Sequence, residues 1–309
     1  MIKTDLVTIA IPVYERVDFF QEALDSALNQ TVKCKIVVSD NGSSHDIFGE
    51  ICAKYPDLVE YHKNKENIGM FPNWNKCVEY VRTPYMLILG DDDILHESFV
   101  ETFLGVHECN PDIEMFYSEY ELVFEPSKEK CKNPLINYWG GGTMYDVKKQ
   151  AVNSYVGFPS ISCVCKVDLY RTHPFEERIH GTNDWLSIYS FPNDVKIYGC
   201  NKIMYDYRKH NQADTSSAKM KNVMRLNHLL ILNQLTSEVQ CSFYIKLKWQ
   251  GNLNLFRLHH GKFVNNYLQT ESGYRELYNR FKSKNTIVTF LLSLLIGLYD
   301  SLKFSILRK

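Results

Sequence analysis

The sequence lacks the features that mark several classes of protein. Lys and Arg number 35 against 36 Asp and Glu, so the net charge of −1 shows none of the basic excess typical of general nucleic-acid binding. The nine cysteines are scattered singly, apart from Cys163 and Cys165, without a Cys-x-x-Cys pair. This spacing argues against a zinc site and a disulfide framework, and indicates reduced thiols in the cytoplasm.

Signals for export and membrane insertion are also missing. The first apolar run follows Asp5, ends at Pro12 and has no small-residue cleavage site, so it does not resemble a signal peptide. We expect the active part to stay in the compartment where it is made. The most apolar stretch, 286–309, is interrupted by Asp300 and Lys303, which leaves fewer than the roughly 20 residues that a spanning helix needs.

This C-terminal stretch still has the pattern of a helix. Small or polar residues recur every four positions along it, at Thr289, Ser293, Gly297 and Ser301, and basic residues flank it. Two hypotheses stay open. The helix lies on an anionic membrane, as in a peripheral protein on the cytoplasmic face of the inner membrane, or it packs on the domain or in a homodimer.

The chain before residue 96 alternates between apolar strands and amphipathic helices. LVTIAIPVY is a continuous apolar run ended by proline, which is typical of a strand buried on both faces. Asp18 and Gln21 fit a capping box, and apolar residues then recur at helical spacing. These residues are Phe20, Ala23, Leu24, Ala27 and Leu28. The alternation predicts an α/β fold with a mostly parallel, Rossmann-like central sheet flanked by helices.

The later part of the chain mixes both patterns and then becomes helical. We expect a loop from Glu125 to Thr143, a strand at SISCVCKVDLY, a helix opened by the loop RIHGTN, and a strand pair in VKIYGCNKIMYDYRKH. From residue 218 the pattern indicates helices only.

The stretch LILGDDDIL ends an apolar strand in Gly90 and three aspartates, Asp91–Asp93. Adjacent carboxylates repel and are costly to bury unless a positive charge lies beside them. Turns that follow parallel strands gather at one edge of a sheet, so DNGSS and NKENIG should lie nearby. Such oxygen ligands suit Mg²⁺ or Mn²⁺. The alternative is a helix N-terminus, for which one aspartate would suffice.

Two other turns suit a nucleotide. Asp40 can accept a hydrogen bond from a base, and the alternative is an Asx turn within the protein. The backbone of PVYER can face a base, and the alternative is a strand that simply ends at proline.

Taken in order, VTIAIPVYERVDFFQEALDSALNQT, IVVSDNGSS, ENIGMFPNWNKCVEYVRTPYMLILGDDDIL and NDW resemble the inverting nucleotide-sugar glycosyltransferases of family 2, which have the GT-A fold. The resemblance covers about 6–217. It implies a GT-A domain at 1–217, with a nucleotide-binding half at 1–95 and an acceptor-binding half at 96–217. A helical C-terminal region, 218–309, follows.

The resemblance also assigns site residues. It implies that the donor nucleotide is bound by Pro12, Tyr14, Glu15, Asp40, Asn67, Gly69, Asn75, Asp91, Asp92 and Arg208. It implies Mn²⁺ or Mg²⁺ as cofactor. We expect Asp91 and Asp93 as the metal-binding pair, with His210 beside them, although Gly90 stands where the family often has Asp and leaves the choice of pair open.

Asp184, in NDW, matches the family's catalytic base. An inverting transfer needs one carboxylate to take the proton of the acceptor hydroxyl as its oxygen attacks the anomeric carbon. Asn183 replaces the family's Glu, which removes a charge but keeps the base. The alternative is that Asp184 caps a helix. Trp185 is expected to stack on an acceptor sugar, unless it is a core residue.

The resemblance thus predicts a metal-dependent inverting glycosyltransferase. It would move one sugar from a nucleotide-diphosphate sugar, chiefly a UDP-hexose or UDP-N-acetylhexosamine, to a lipid-linked or glycan acceptor of bacterial O-antigen or capsule. One alternative is a sugar-nucleotide nucleotidyltransferase, although PVYERVD lacks the Gly-rich basic loop that grips a triphosphate. The other is a non-catalytic nucleotide-sugar-binding module, against which Asp184 and the three aspartates argue.

Overall fold

The computed structural model of the chain describes residues 3–132, 140–154, 160–177, 181–212, 217–260, 264 and 290–298. Its strands are β1 (Lys3–Val13), β2 (Lys33–Asp40), β3 (Val59–Lys63), β4 (Tyr85–Ile88), β5 (Ile94–Leu95), β6 (Met115–Phe124), β7 (Glu129–Lys132), β8 (Gly141–Thr143), β9 (Cys163–Lys166) and β10 (Lys196–Lys209). Its longer helices are α1 (Phe20–Leu28), α2 (Ile47–Cys52), α3 (Met70–Tyr80), α4 (Phe99–Cys109), α5 (Met144–Ser154), α6 (Val167–Thr172), α7 (Asn183–Ser190), α8 (Ala218–Glu238) and α9 (Phe243–His259).

The strands form one mixed sheet in the order β3-β2-β1-β4-β9-β6-β10-β5, with β7 on β6 and β8 on β10. β3, β2, β1 and β4 are parallel neighbours, and β6 is parallel to β10, whereas β9 is antiparallel to β4 and β6. Thr8, Ile9 and Ala10 are all buried, so both faces of β1 are covered, as its unbroken apolar run requires. The predicted α/β class with a mostly parallel sheet is confirmed.

The turns after β1, β2 and β4 open at one edge of the sheet. Val13 pairs with Asp40 and Ala10 pairs with Ile88, so these three strands end close together and in the same direction. The carboxyl edge of parallel strands is where such folds bind ligands. Asp40 also pairs in parallel with Lys63 at the end of β3, so DNGSS, NKENIG and the three aspartates share this edge.

Helix α1 has the predicted core face but not the predicted cap. The five apolar positions of the sequence pattern are the buried residues of α1. The helix begins at Phe20, so the capping position falls on Phe19, which has no side-chain cap bond. The amide of Gln21 instead donates to Asp25 Oδ1 at 2.8 Å, and the predicted capping box is wrong.

The structure differs from prediction at three places in the second half. The expected strand pair is the single strand β10, because its register against β6 shifts between Cys200 and Tyr205 and absorbs the polar residues as a bulge. SISCVCKVDLY divides into β9 and α6, since the pairing with β4 and β6 ends at Lys166. The expected loop at 125–143 contains β7 and β8; its residues 133–139 lie outside the described part.

The described residues group into two compact units. The first comprises those of 1–144, 157–177 and 187–213 and holds the sheet; the second comprises those of 145–156, 178–186 and 214–309. Within the second, Trp249 Nε1 donates to the carbonyl of Val152 at 2.7 Å, and Lys148 pairs with Glu238 at 3.1 Å. Most of α5 and the start of α7 thus group with the C-terminal helices, whereas the sequence placed a boundary near 217. The domain scheme stays a prediction.

Residues 290–298 are helical and have two faces. One face packs on α9: Asn254 donates to Ser293 Oγ at 3.2 Å, and a Cβ on Gly251 would overlap the Ser293 carbonyl. The other face exposes Leu291, Leu292, Leu295 and Leu298. No helix among the described residues combines the length and hydropathy needed to cross a bilayer. Most of 286–309 lies outside those residues.

Candidate functional site

Asp93 forms the inner end of the turn after β4. It is 2% exposed; Oδ1 accepts from the backbone N–H of Arg208 at 2.8 Å, and Oδ2 accepts from the Tyr205 hydroxyl at 2.7 Å. Burial, together with the charge of Asp92, raises the pKa of Asp93 well above its ordinary value. The carboxyl group ties the turn to β10, and this geometry argues against the expected role of Asp93 as a metal ligand.

Gly90 leaves room for this arrangement. A Cβ at Gly90 would lie 2.8 Å from Asp93 Oδ2 and 3.1 Å from Asp92 Oδ1, so a side chain there would displace both carboxylates. The departure from the family's usual Asp is therefore explained by the tight packing of this turn.

Asp91 and Asp92 form the outer side of the turn and share one cation. Nη2 of Arg16 lies 2.5 Å from Asp91 Oδ1 and 2.9 Å from Asp92 Oδ2. His210 Nε2 is 2.9 Å from the same oxygen of Asp92, and its ring packs on Phe19 with 4.7 Å between ring centroids. Arg16 thus supplies the positive charge that three adjacent aspartates require.

The Asp91–Asp92 pair fits a hard divalent cation. Two carboxylates converge on a single position, which the Arg16 nitrogen takes here, and His210 borders it. Carboxylate oxygens are the ligands that Mg²⁺ and Mn²⁺ prefer. Because two cations cannot share that position, metal binding requires Arg16 to move away.

A second group of metal-ligating atoms lies elsewhere among the described residues. Ligand atoms of His96, Glu121 and Asp206 are all within 4.8 Å of one another. Lys130 Nζ is 2.8 Å from Glu121 and 2.7 Å from Asp206. Burial alone would raise the pKa of Asp206, but hydrogen bonds from His96 and Lys130 outweigh it and lower that pKa. The group lies outside the turns after β1, β2 and β4, and we interpret it as an ion-pair network.

Arg208 is held within the protein. Its side chain is 3% exposed, Nη2 lies 2.7 Å from Glu22, Nε lies 3.6 Å from Glu125, and the guanidinium covers the Phe19 ring at 4.4 Å. Its backbone N–H donates to Asp93, and its side chain forms the ion pair with Glu22. Contact with a diphosphate stays a prediction.

Asp40 is bonded within the protein, as the alternative to a base contact requires, although its backbone bond reaches the third residue along the chain and not the second as in an Asx turn. It is fully buried; Oδ1 accepts from the backbone N–H and the hydroxyl of Ser43, at 2.9 and 2.6 Å, and Oδ2 accepts from Tyr61 at 2.6 Å. Burial and this bond to Asp40 raise the pKa of Tyr61. Neutral donors satisfy both oxygens, so a contact between Asp40 and a base stays a prediction without support from the geometry.

The turn after β1 presents its own polar groups. Pro12 is buried within β1, whereas Tyr14 and Glu15 are exposed beyond it. Glu15 has a positive φ of 55°, and its carboxylate accepts from the backbone and hydroxyl of Ser44 at 2.8 and 2.9 Å. These two bonds lower the pKa of Glu15. Of the three predicted residues, Tyr14 and Glu15 have the solvent access that a base or ribose contact needs.

Asn67, Gly69 and Asn75 have structural partners. Asn67 Oδ1 accepts from the Gly69 N–H at 2.8 Å and from the Asn41 amide at 3.0 Å. The amide of Asn75 donates to the carbonyl of Phe175 at 3.0 Å and accepts from its N–H at 3.1 Å. These contacts fix the turn before α3 and the segment after α6. Nucleotide binding by the three residues stays a prediction.

The segment that holds Asp184 belongs to the second unit, and Asp184 lies in the first turn of α7. Gly181 and Thr182, just before it, have positive φ values of 64° and 54°. Asp184 and Trp185 are half-buried, and Asn183 is fully buried. Trp185 stacks on His228 of α8, with 4.1 Å between ring centroids.

Sequence reasoning missed several residues that organise these turns. Arg16 neutralises the aspartates, Asn41 bonds both Asn67 and the Gly69 carbonyl, and Asn227 donates to the Gly181 carbonyl at 2.9 Å. Each is a single polar residue without a spacing pattern. The sequence signal that could have led to Arg16 was the need for a positive charge beside three aspartates.

Comparison with known proteins supports the family that the sequence resembles. Residues 8–157 match the profile of Glycosyl transferase family 2. An uncharacterized glycosyltransferase of Rickettsia prowazekii is 26% identical over 225 residues, which cover 70% of this chain and 68% of that protein. Glycosyltransferase GlyA of Streptococcus pneumoniae is 29% identical over 223 residues, 67% of this chain and 31% of that protein. Hyaluronan synthase of Pasteurella multocida is 23% identical over 258 residues, 78% and 24% of the two chains.

A solved structure matches the fold over most of the chain. Residues 1–349 of S. aureus TarS, in complex with UDP-GlcNAc, superpose with a TM-score of 0.61 at 15% identity, covering 88% of this chain and 92% of that one. At this identity the likeness concerns the fold alone. Residues 8–157, just under half of the chain, therefore match glycosyl transferase family 2, and the chain has the GT-A fold expected from its sequence. It spans under a third of the length of GlyA and of hyaluronan synthase.

Proposed function

We propose that the protein is a metal-dependent inverting glycosyltransferase that uses a UDP-sugar. The observation that carries the proposal is the convergence of Asp91 and Asp92 on one cation position at the carboxyl end of β4, within the family-matched residues. A metal bound there would act as a Lewis acid on a departing diphosphate. The UDP-GlcNAc complex of the similar TarS structure supports a UDP-sugar as donor.

We assign the other steps of binding and catalysis to individual residues. Asp91 and Asp92 would hold the metal, with His210 beside Asp92, and Tyr14 and Glu15 offer exposed contacts to the nucleoside. Asp184 takes the proton of the attacking hydroxyl as the bond to the anomeric carbon forms and the bond to the leaving diphosphate breaks. Trp185, half-buried beside Asp184, offers a flat apolar face to an acceptor sugar.

Replacing the proposed base tests this function. We expect Asp184→Asn to lower the Mn²⁺-dependent turnover of UDP-GlcNAc by at least about 1,000-fold. This is the loss of rate expected when a general base is removed and the geometry of the attack is disturbed as well. Binding of UDP with Mn²⁺, measured by calorimetry, should stay within about 3-fold. The control is Asp168→Asn, because the side chain of Asp168 is 83% exposed on α6.

The two alternatives give different results in the same experiment. A nucleotidyltransferase would consume a sugar phosphate and a nucleoside triphosphate. A binding module would bind UDP-sugar without any turnover that Asp184 controls. Near-normal turnover of Asp184→Asn would instead show that another residue is the base.

We further propose a lipid-linked or glycan acceptor of a bacterial surface polysaccharide, O-antigen or capsule, at the cytoplasmic face of the inner membrane. The exposed leucines of 290–298, opposite the face that packs on α9, support contact with a membrane surface. Replacing Leu291, Leu295 and Leu298 with Ser should abolish flotation with anionic vesicles. Unchanged flotation, or a change of oligomeric state instead, would favour a protein partner for this face.

A further inference from the structure

Helix α8 contacts the turn that leads into Asp184 at several points. The amide of Asn227 donates to the Gly181 carbonyl at 2.9 Å. A Cβ built on Gly181 would lie 2.9 Å from Met220 Sδ and 3.3 Å from Met224 Cγ. Met220, Met224 and Asn227 are spaced i, i+4 and i+7, so they form one stripe on α8. This stripe covers a turn whose first position favours glycine, because φ is positive there and a Cβ would require Met220 to shift.

His228, the next residue of α8, contacts the residue after Asp184. Its ring stacks on Trp185, with 4.1 Å between centroids and 27° between planes. Its Nε2 is buried and has no hydrogen-bond partner among the described residues. Burial lowers the pKa of His228 to about 4, so the ring is neutral at neutral pH. Shape and stacking, rather than charge, hold the Trp185 ring.

The backbone before Asp184 needs such support. Gly181 and Thr182 both lie in the left-handed region, with φ of 64° and 54°. That conformation raises the free energy of a threonine, because its β-branched side chain crowds the backbone. Only surrounding contacts can keep two successive residues there, and α8 provides them on both sides of Asp184 in the sequence, at Gly181 and at Trp185.

We propose that Asn227 and His228 are positioning residues that fix the direction of the Asp184 carboxylate. The proposal rests on the proposed function, since it assumes that Asp184 is the base. It assigns a catalytic contribution to a helix that lies outside the family-matched residues 8–157. Asn227 fixes the backbone before Asp184, and His228 fixes the side chain after it.

Paired variants separate stacking from hydrogen bonding. We expect His228→Phe, which keeps a flat ring, to retain turnover of UDP-GlcNAc with Mn²⁺ within about 3-fold. His228→Ala should lower kcat about 10-fold to 100-fold, the cost of misplacing a catalytic group by about an ångström. Asn227→Asp, which has the same shape but cannot donate to Gly181, should also lower kcat. KM for the donor should not change in any of them.

Hydrogen exchange shows whether the turn itself has moved. The N–H of Leu186 donates to the Thr182 carbonyl at 3.1 Å, so its protection reports on the first turn of α7. We expect faster exchange at Leu186 in His228→Ala and Asn227→Asp, and unchanged exchange in His228→Phe. The control is Thr236→Val, which removes a buried hydroxyl of α8 whose partner is the Asn233 carbonyl.

The outcomes distinguish this proposal from the proposed function. If Asp184→Asn is inactive while both His228 variants and Asn227→Asp match the unaltered protein in kcat and in exchange, the base is right and the positioning role is wrong. If Asp184→Asn keeps its turnover, the base assignment fails. The exchange data then still decide whether α8 holds the turn, and unchanged exchange would overturn that contact as well.

Discussion

The turn after β4 and the turn before α7 are held by different forces. Arg16 lies between Asp91 and Asp92 within 2.9 Å of both, so this turn is held by charge. The Gly181 turn is held by an amide of α8, by two methionines and by an aromatic stack, so it is held by shape. Each turn carries a carboxylate that the proposed reaction needs.

The difference indicates whether a turn can exchange its bound cation for another. A carboxylate pair bridged by one cation can accept another cation in its place, at the cost of moving the first. A turn fixed by packing has no such freedom, and a base must hold its direction throughout the reaction. Variants of the first turn should therefore change metal and nucleotide binding, and variants of the second should change turnover.

The largest effect on binding should come from the charge-held turn. We expect Asp92→Ala to weaken Mn²⁺-dependent UDP binding by about 100-fold or more, because Asp92 contacts both Arg16 and His210. Calorimetric titration with and without Mn²⁺ measures this effect. The matched control is Asp93→Asn, whose amide can replace the carboxyl toward the Arg208 N–H and Tyr205, and which should bind within about 3-fold of the unaltered protein. The reverse ranking would restore Asp93 as the metal ligand.

A smaller effect, opposite in sign, should follow the loss of the resident cation. We expect Arg16→Ala to bind Mn²⁺ alone about 10-fold more tightly at low ionic strength, since the metal no longer displaces a guanidinium from Asp91 and Asp92. Titration of Mn²⁺ in the absence of nucleotide measures it. Arg16→Lys keeps the charge and should remain near the original affinity. Weaker metal binding by Arg16→Ala would mean that Arg16 orders the aspartates rather than competing for them.

The sequence predicted most of the first unit because its signals there are periodic. Apolar runs that ended at polar turns identified β1, β2 and β4, and the order of the strands placed those turns at one edge. The three aspartates were correctly read as needing a cation. The distinct environment of Asp93 was beyond the sequence, because it depends on Tyr205 and the Arg208 N–H, which lie more than a hundred residues away in β10.

The turn before α7 was less predictable for the same reason. NDW identified Asp184 by resemblance, but its support comes from α8, more than 40 residues later in the chain. Asn227 and His228 sit in a helix without motif or strong polarity pattern. Long-range contacts between single polar residues carry no local signal, so only the folded structure brings them together.

The smallest effect concerns the acid stability of the shape-held turn. The pKa of His228 falls from 6.5 to about 4 on folding, so below pH 6.5 the unfolded chain takes up a proton that the folded one resists. Stability contributed by the neutral ring is therefore lost as the pH falls from about 6.5 to about 4. The full shift corresponds to roughly 3 kcal/mol, and solvent contact of the half-buried ring should leave about 1 kcal/mol.

His228→Phe removes this titration and tests it directly. We expect the difference in unfolding free energy between pH 7 and pH 5, followed by urea melts of the folded protein, to shrink by about 1 kcal/mol relative to the unaltered chain. His173→Phe serves as the comparison, because His173 follows α6 in the first unit and belongs to neither turn. An equal change in both variants would mean that the acid sensitivity is spread over the histidines and is not a property of the turn before α7.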